Sequence, residues 1–194
     1  MSERIILGID PGTNVLGYGV LRVVDSQKPE VLAVGVIDLR KCVDVYLKLG
    51  RIYERVMGII DSFHPDELAI EAPFFGKNVQ SMLKLGRAQG VTIAAAMARQ
   101  VPISEYAPLR IKQVVTGNGS ASKEQVAEML RRILSLNLDD VNFLDATDAL
   151  GVAYCHYMET CLPKKASLSK PSRSGSRAKS WADFAKNNAD RVRG

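Results

Sequence analysis

Four carboxylates in this sequence stand where they could do chemistry. Asp10 closes the apolar run Arg4-Ile5-Ile6-Leu7-Gly8-Ile9-Asp10, just ahead of Pro11-Gly12, and Glu71 closes Leu68-Ala69-Ile70-Glu71. Asp145 and Asp148 are three residues apart, which places both on one face of a helix. If the two apolar runs are adjacent strands, a spacing of about 4.8 Å sets Asp10 and Glu71 side by side at the carboxyl edge of a sheet. Open α/β sheets bind ligands at that edge. Acids gathered in this way repel one another unless cations bind. Carboxylates and water suit Mg²⁺ or Mn²⁺, and the lack of convergent His and Cys argues against zinc. Two such ions about 4 Å apart activate water and stabilise the leaving oxygen in phosphodiester hydrolysis. Taken singly, each acid also has a plainer use. Asp10 before Pro-Gly suits a turn, and Asp145 suits a helix N-cap. Glu71 in its apolar setting and Asp148 beside Ala149-Leu150 have weaker structural excuses.

The elements that must position these residues follow from hydrophobic periodicity. The run ending at Asp10 is a strand buried on both faces. Residues 15–24 and 31–39 are β-rich and joined by a polar turn, so the first three strands form an antiparallel meander. Val45, Leu49, Ile52, Val56, Ile59 and Phe63 recur at helical spacing and stop at Pro65. Residues 68–71 form the fourth strand, followed by a polar, Gly-containing loop over 72–78 and a helix over 79–99. Residues 103–106 make the fifth strand and 109–115 a short helix. Ser122-Lys123-Glu124-Gln125 resembles a capping box opening a helix that runs to Leu134, and 145–161 is the last long helix. Its small residues Ala146, Ala149 and Gly151 allow it close to the sheet. The whole reads as an α/β fold, a mixed five-stranded sheet with helices on both faces. The first, fourth and fifth strands are expected as parallel neighbours at its centre.

At 194 residues, with 46% hydrophobic and 24% charged side chains, the chain suits one globular domain with a tail, and a collagen, a disordered polymer or a membrane bundle is excluded. No apolar run reaches the roughly 18 residues of a spanning helix, and the N-terminus lacks a signal-peptide pattern. Cys42, Cys155 and Cys161 form no CxxC pair, so neither a disulfide framework nor a zinc knuckle is signalled, and a reducing cytoplasm is expected. The net charge of +5 is unevenly divided. From Pro163 to Gly194 nine basic side chains face only Asp183 and Asp190, net +7, which leaves −2 on the preceding 162 residues. The division suggests a globular domain over 1–162 and a basic, disordered tail over 163–194, with one short terminal helix from Ser180. Such a tail fits a polyanionic partner or mere solubility.

The motifs, taken together, resemble one family. Gly8-Ile9-Asp10-Pro11-Gly12-Thr13, the stretch Ile70-Glu71-Ala72-Pro73-Phe74-Phe75-Gly76-Lys77-Asn78, the run Leu83-Lys84-Leu85-Gly86-Arg87-Ala88-Gln89-Gly90 and Asp145-Ala146-Thr147-Asp148-Ala149-Leu150 stand in the order and spacing of the RuvC family, the bacterial Holliday junction resolvases. The resemblance covers roughly residues 4–160. It implies an RNase H-like fold, a homodimer and a site of Asp10, Glu71, Asp145 and Asp148 holding two Mg²⁺ ions, with Mn²⁺ as substitute. Some members carry His at the third position, which leaves the role of Asp145 open. The resemblance makes Phe74 the aromatic that stacks on or wedges between bases at the crossover, against the alternative of a core phenylalanine. Phe75 and Asn78 share its loop. Lys112 and Lys123 match family lysines that handle DNA near the scissile phosphate; alone, either reads as a surface lysine. Lys77, Lys84 and Arg87 are candidate phosphate contacts. The implied activity is metal-dependent, paired cleavage of four-way DNA junctions that leaves 5′-phosphate and 3′-hydroxyl ends, in recombination and repair. The implied partner is the RuvA-RuvB branch-migration complex, and no membrane is involved. The tail after Leu162 departs from the family pattern.

Three rival readings carry less of the sequence. An actin- or sugar-kinase-like ATPase shares Asp-Pro-Gly-Thr after a strand but needs a second such domain. A non-catalytic DNA scaffold would not require four acids. An RNase H-like nuclease acting on RNA precursors shares the first motif but lacks the 74–78 loop.

Overall fold

The structure, a computed structural model, describes residues 3–24, 27–73, 78–136 and 144–161. β1 (Glu3–Asp10) pairs antiparallel with β2 (Val15–Val24), and β2 with β3 (Glu30–Asp38). α1 (Val45–Phe63) then crosses over to β4 (Glu67–Glu71), which lies parallel to β1 on its other side. α2 (Val79–Ala98) leads to β5 (Ile103–Tyr106), parallel to β4. The sheet order is β3-β2-β1-β4-β5, the mixed five-stranded sheet that the periodicity predicts.

One expectation is corrected. β5 is an edge strand, and β1 alone holds the centre. Both sides of β1 are already occupied by β2 and β4, so the fifth strand can add only to the free edge of β4. It is four residues long, short as edge strands tend to be.

Alternation along β1 explains the two-layered core. Leu7 and Ile9 point into the cluster formed with Ile52, Val56 and Ile60 of α1 and Ala88, Ala95 and Ala96 of α2. Ile6 points the other way, into the cluster with α3 (Pro108–Thr116), α4 (Lys123–Leu134) and α5 (Leu144–Cys161). A strand with helices on both faces must be apolar throughout. Local signals set the helix ends. The Asp44 carboxylate accepts from the Tyr46 and Leu47 amides to open α1. His64, at φ 45°, closes it in the left-handed region one residue before Pro65. Ser122 and Gln125 form the expected capping box at the start of α4.

α5 lies against β1 and β2, and the sheet makes room for it. A Cβ on Gly8 would stand 2.3 Å from the Ala149 carbonyl oxygen, and one on Gly17 would stand 2.0 Å from that of Asp145. A Cβ on Gly19 would meet the Leu150 side chain at 2.7 Å. The closeness expected from the helix therefore comes from glycines in the strands, with Ala149 facing them. Gly151 is the exception among the expected small residues: it faces Ile111 and Leu130, away from the sheet. The close approach carries Asp145 and Asp148 to the carboxyl end of β1. Among the described residues, no helix is long and apolar enough to cross a membrane.

Candidate active site

Asp10 is the last residue of β1, one position beyond the pairing of Ile9 with Ile70; Glu71 is the last residue of β4. Even-numbered residues of β1 and odd-numbered residues of β4 face α5, since Ile6 and Ala69 belong to its cluster. Asp10 and Glu71 therefore turn toward the helix that carries Asp145 in its first turn and Asp148 one turn later. Asp10, Asp145 and Asp148 each bring one carboxylate oxygen to within 4.8 Å of the other two. Glu71 stands outside that triad but close enough for its charge to act on Asp10, and that of Asp148 on Glu71.

The electrostatics are those of a site short of cations. Burial, followed by the charges of Glu71 and Asp148, pushes the Asp10 carboxyl up to about 8. Burial and then Asp148 push Glu71 up to about 7. Asp148 is also raised, first by burial, although its hydrogen bond from Lys123 opposes the rise. Lys123 Nζ donates to Asp148 Oδ2 at 2.5 Å and lies 3.7 Å from Asp145 Oδ1. Burial works against the Lys123 charge, but the hydrogen bond to Asp148 and the surrounding carboxylates outweigh it and hold the ammonium above its ordinary value. The Lys112 charge reaches both Glu71 and Asp148. An all-carboxylate donor set whose acids raise one another and draw in a lysine ammonium fits hard, oxygen-seeking cations such as Mg²⁺.

The other sequence-predicted residues are distributed around this centre. Lys84 lines a cavity of about 230 Å³ with Thr13, Asn14 and Lys48, beside the turn that follows Asp10. Arg87 lines a groove of about 660 Å³ with Ala72, Pro73, Val79, Met82 and Leu83. Asn78 acts locally, capping α2 with a side chain that accepts from the Ser81 amide at 3.1 Å. Phe74, Phe75 and Lys77 lie outside the described residues, as do the tail over 163–194 and its terminal helix.

Sequence reasoning missed two supports of the site. Lys48 on α1 donates to the Thr13 carbonyl at 3.1 Å and to Asn14 Oδ1 at 2.9 Å, pinning the turn after Asp10. Its only signal was a lysine on the polar side of an amphipathic helix, which is commonplace. Gly8 and Gly17 could have been found: glycines inside strands mark the close approach of another backbone.

A mixed five-stranded sheet with acids at the ends of β1 and β4 and on the covering helix α5 defines an RNase H-like nuclease. The family model of crossover junction endodeoxyribonuclease RuvC matches residues 6–156. The chain is 58% identical over 194 residues to the crossover junction endodeoxyribonuclease RuvC of Bacteroides fragilis, covering 100% of this chain and 98% of that one. It is 56% identical over 193 residues to the corresponding protein of Porphyromonas gingivalis, covering 99% and 98%. Among solved structures it is similar to Thermus thermophilus RuvC in complex with a Holliday junction substrate, with a TM-score of 0.75, 34% identity, and coverage of 81% of this chain and 95% of that one. The chain belongs to the RuvC family of crossover junction endodeoxyribonucleases. The family model ends at residue 156, so the stretch after Leu162 lies beyond it, while the alignment with the Bacteroides fragilis protein runs on through that stretch.

Proposed function

We propose that this protein is a structure-selective endonuclease that resolves four-way DNA junctions by paired, metal-dependent phosphodiester hydrolysis, leaving 5′-phosphate and 3′-hydroxyl ends, in recombination and repair in the cytoplasm. The observation that carries the reading is the convergence of Asp10, Asp145 and Asp148 within 4.8 Å at the carboxyl edge of the sheet, with Glu71 coupled to them, in a chain of this family. These four residues would hold two Mg²⁺ ions, with Mn²⁺ as substitute. When bound, such ions lower the pKa of a water and stabilise the leaving oxygen.

The chain's own residues supply the rest. Burial of Asp10 and Glu71 removes competing solvent from the oxygens that do the binding, and the short Gly8 and Gly17 contacts fix α5, and so Asp148, against β1. Lys123, bonded to Asp148, and Lys112, whose charge reaches Glu71 and Asp148, would offer positive charge to an arriving phosphate. Lys77, Lys84, Arg87 and Asn78 would contact the DNA backbone farther out, and Phe74 and Phe75 would stack on bases opened at the crossover. A homodimer would supply two such sites for two strands of like polarity. The exposed Val79 and Leu83 of α2 support a partner copy, since they leave an apolar stripe uncovered. The nuclease domain would span 1–162, the basic tail 163–194 would add sequence-independent affinity, and the RuvA-RuvB complex would deliver the junction.

Selectivity would come from junction shape and from the lower cost of unstacking bases in an already distorted crossover. The test is cleavage of a synthetic four-way junction against a matched duplex, with Mg²⁺ and with EDTA. Paired nicks in the junction alone, abolished by EDTA, are expected. Equal cleavage of duplex, or cleavage surviving EDTA, would overturn the reading.

A further inference from the structure

We infer that Lys123 is an exchangeable counter-cation of the acidic cluster: its ammonium occupies the carboxylate site in the metal-free protein and swings out when a divalent ion enters. The inference depends on the metal reading above and concerns what the lysine does at that site. The ammonium sits 2.5 Å from Asp148 and 3.7 Å from Asp145, two of the three residues whose oxygens converge. A carboxylate lone pair that accepts an N–H at that distance is not free to ligate a metal. The ammonium and a divalent ion therefore draw on the same two carboxylates.

The lysine is also mounted so that it can leave. It is the first residue of α4, whose start is fixed by the Ser122–Gln125 capping box, so its backbone stays in place while a four-carbon stem moves. Its side chain is 52% exposed, whereas that of Asp148 is 14% exposed. The anion is held in the protein and the cation reaches in from solvent. Lys112 provides the contrast: its charge reaches Glu71 and Asp148 from a distance. One lysine fills the site and the other adds only field. Exchange replaces one positive charge with two and returns the ammonium to the rim of the cluster, where an arriving phosphate would find it.

Mn²⁺ binding to the full chain without DNA, followed by electron paramagnetic resonance, tests the exchange independently of activity. Removing the competing ammonium in Lys123→Met should tighten Mn²⁺ binding about tenfold, and Lys112→Met, which alters only a more distant charge, less than about threefold. Lys123→Gln, polar but uncharged, should match Lys123→Met, and circular dichroism checks that both variants fold. Equal tightening by the Lys112 and Lys123 variants would reduce the effect to general field and overturn the exchange. Unchanged or weaker binding in both Lys123 variants, with Mn²⁺ bound by the wild type, would overturn the exchange alone. If neither wild type nor variants bind Mn²⁺, the metal reading fails and the exchange falls with it.

Discussion

β4 carries a glutamate at each end, on the same face of the sheet under the same helix, and the two are treated in opposite ways. Glu67, at the start, accepts from Arg4 at 3.2 Å, and its Oε2 lies 2.9 Å from Nε2 of the buried His156. His156 in turn bonds to the Tyr106 hydroxyl at 2.8 Å, and Arg4 continues to Thr160, so this end of the strand is tied to β1, α5 and β5. Glu71, four residues on, has no hydrogen-bonded cation of its own among the described residues: its carboxyl is pushed up to about 7, first by burial and then by Asp148, and the charges of Lys123 and Lys112 only partly oppose that rise. A half-buried carboxylate with its partners supplied locks a fold together; one without a hydrogen-bonded cation is held ready for a ligand. The difference between structure and site lies in compensation, not in residue type.

The largest expected effect falls on the uncompensated end. Asp10→Asn should lower junction cleavage by about 10³-fold or more, the scale of losing several kcal/mol of transition-state stabilisation. The same change should leave the metal-free protein as stable as the wild type or more so, because it puts a neutral amide where a buried acid meets the charges of Glu71 and Asp148. A clear drop in Tm would instead mark Asp10 as a structural residue.

Next comes the packing that delivers α5. Gly17→Ala would set a Cβ 2.0 Å from the Asp145 carbonyl, which only a shift of the helix can relieve. Overpacking of this kind should cost about 1–3 kcal/mol in stability, with a fall in cleavage as Asp145 and Asp148 move away from Asp10. Wild-type cleavage with wild-type Tm would show that the close approach is not needed.

Glu67→Gln should cost about 1–3 kcal/mol by leaving Arg4 and His156 without a charged acceptor, while cleavage stays near the wild-type rate at a temperature where the fold is intact.

The smallest effect is a pH dependence of stability in EDTA. Asp10 near 8 and Glu71 near 7 in the folded protein lie above their ordinary values of 3.8 and 4.5. Their contribution is therefore fully present below the ordinary carboxylate range and is lost as pH rises through about 7 to 8. Thermal denaturation in EDTA should show Tm falling across that interval, with a shallower fall in Asp10→Asn. Saturating Mg²⁺ should flatten the wild-type curve. A wild-type curve rising across the interval would contradict the charge balance described for the site.

Much of this was legible beforehand, for a local reason. Asp10 and Glu71 each end a short apolar run, and a strand-end acid lands at a sheet edge whichever strands are its neighbours. Asp145 and Asp148 are related by helical geometry alone. What depended on pairing across the chain was less accessible. The edge position of β5 follows from β1 already having two neighbours, which no stretch of residues 103–106 announces. The Arg4–Glu67–His156–Tyr106 chain joins positions as much as 152 residues apart in the 194-residue sequence. Lys48 and Asn78 were ambiguous for the opposite reason: a helix-surface lysine and a loop asparagine have too many uses for type alone to choose among them.

Single-turnover cleavage of a four-way junction in Mg²⁺ by Glu71→Gln and Glu67→Gln, with wild type and an EDTA lane alongside, shows whether compensation separates the two ends of β4. Glu71→Gln is expected to bind the junction and leave it uncut, as EDTA does, while a folded Glu67→Gln cuts near the wild-type rate. Near wild-type cleavage by Glu71→Gln, or equal loss in both variants at matched folding, would show that compensation does not distinguish the two ends.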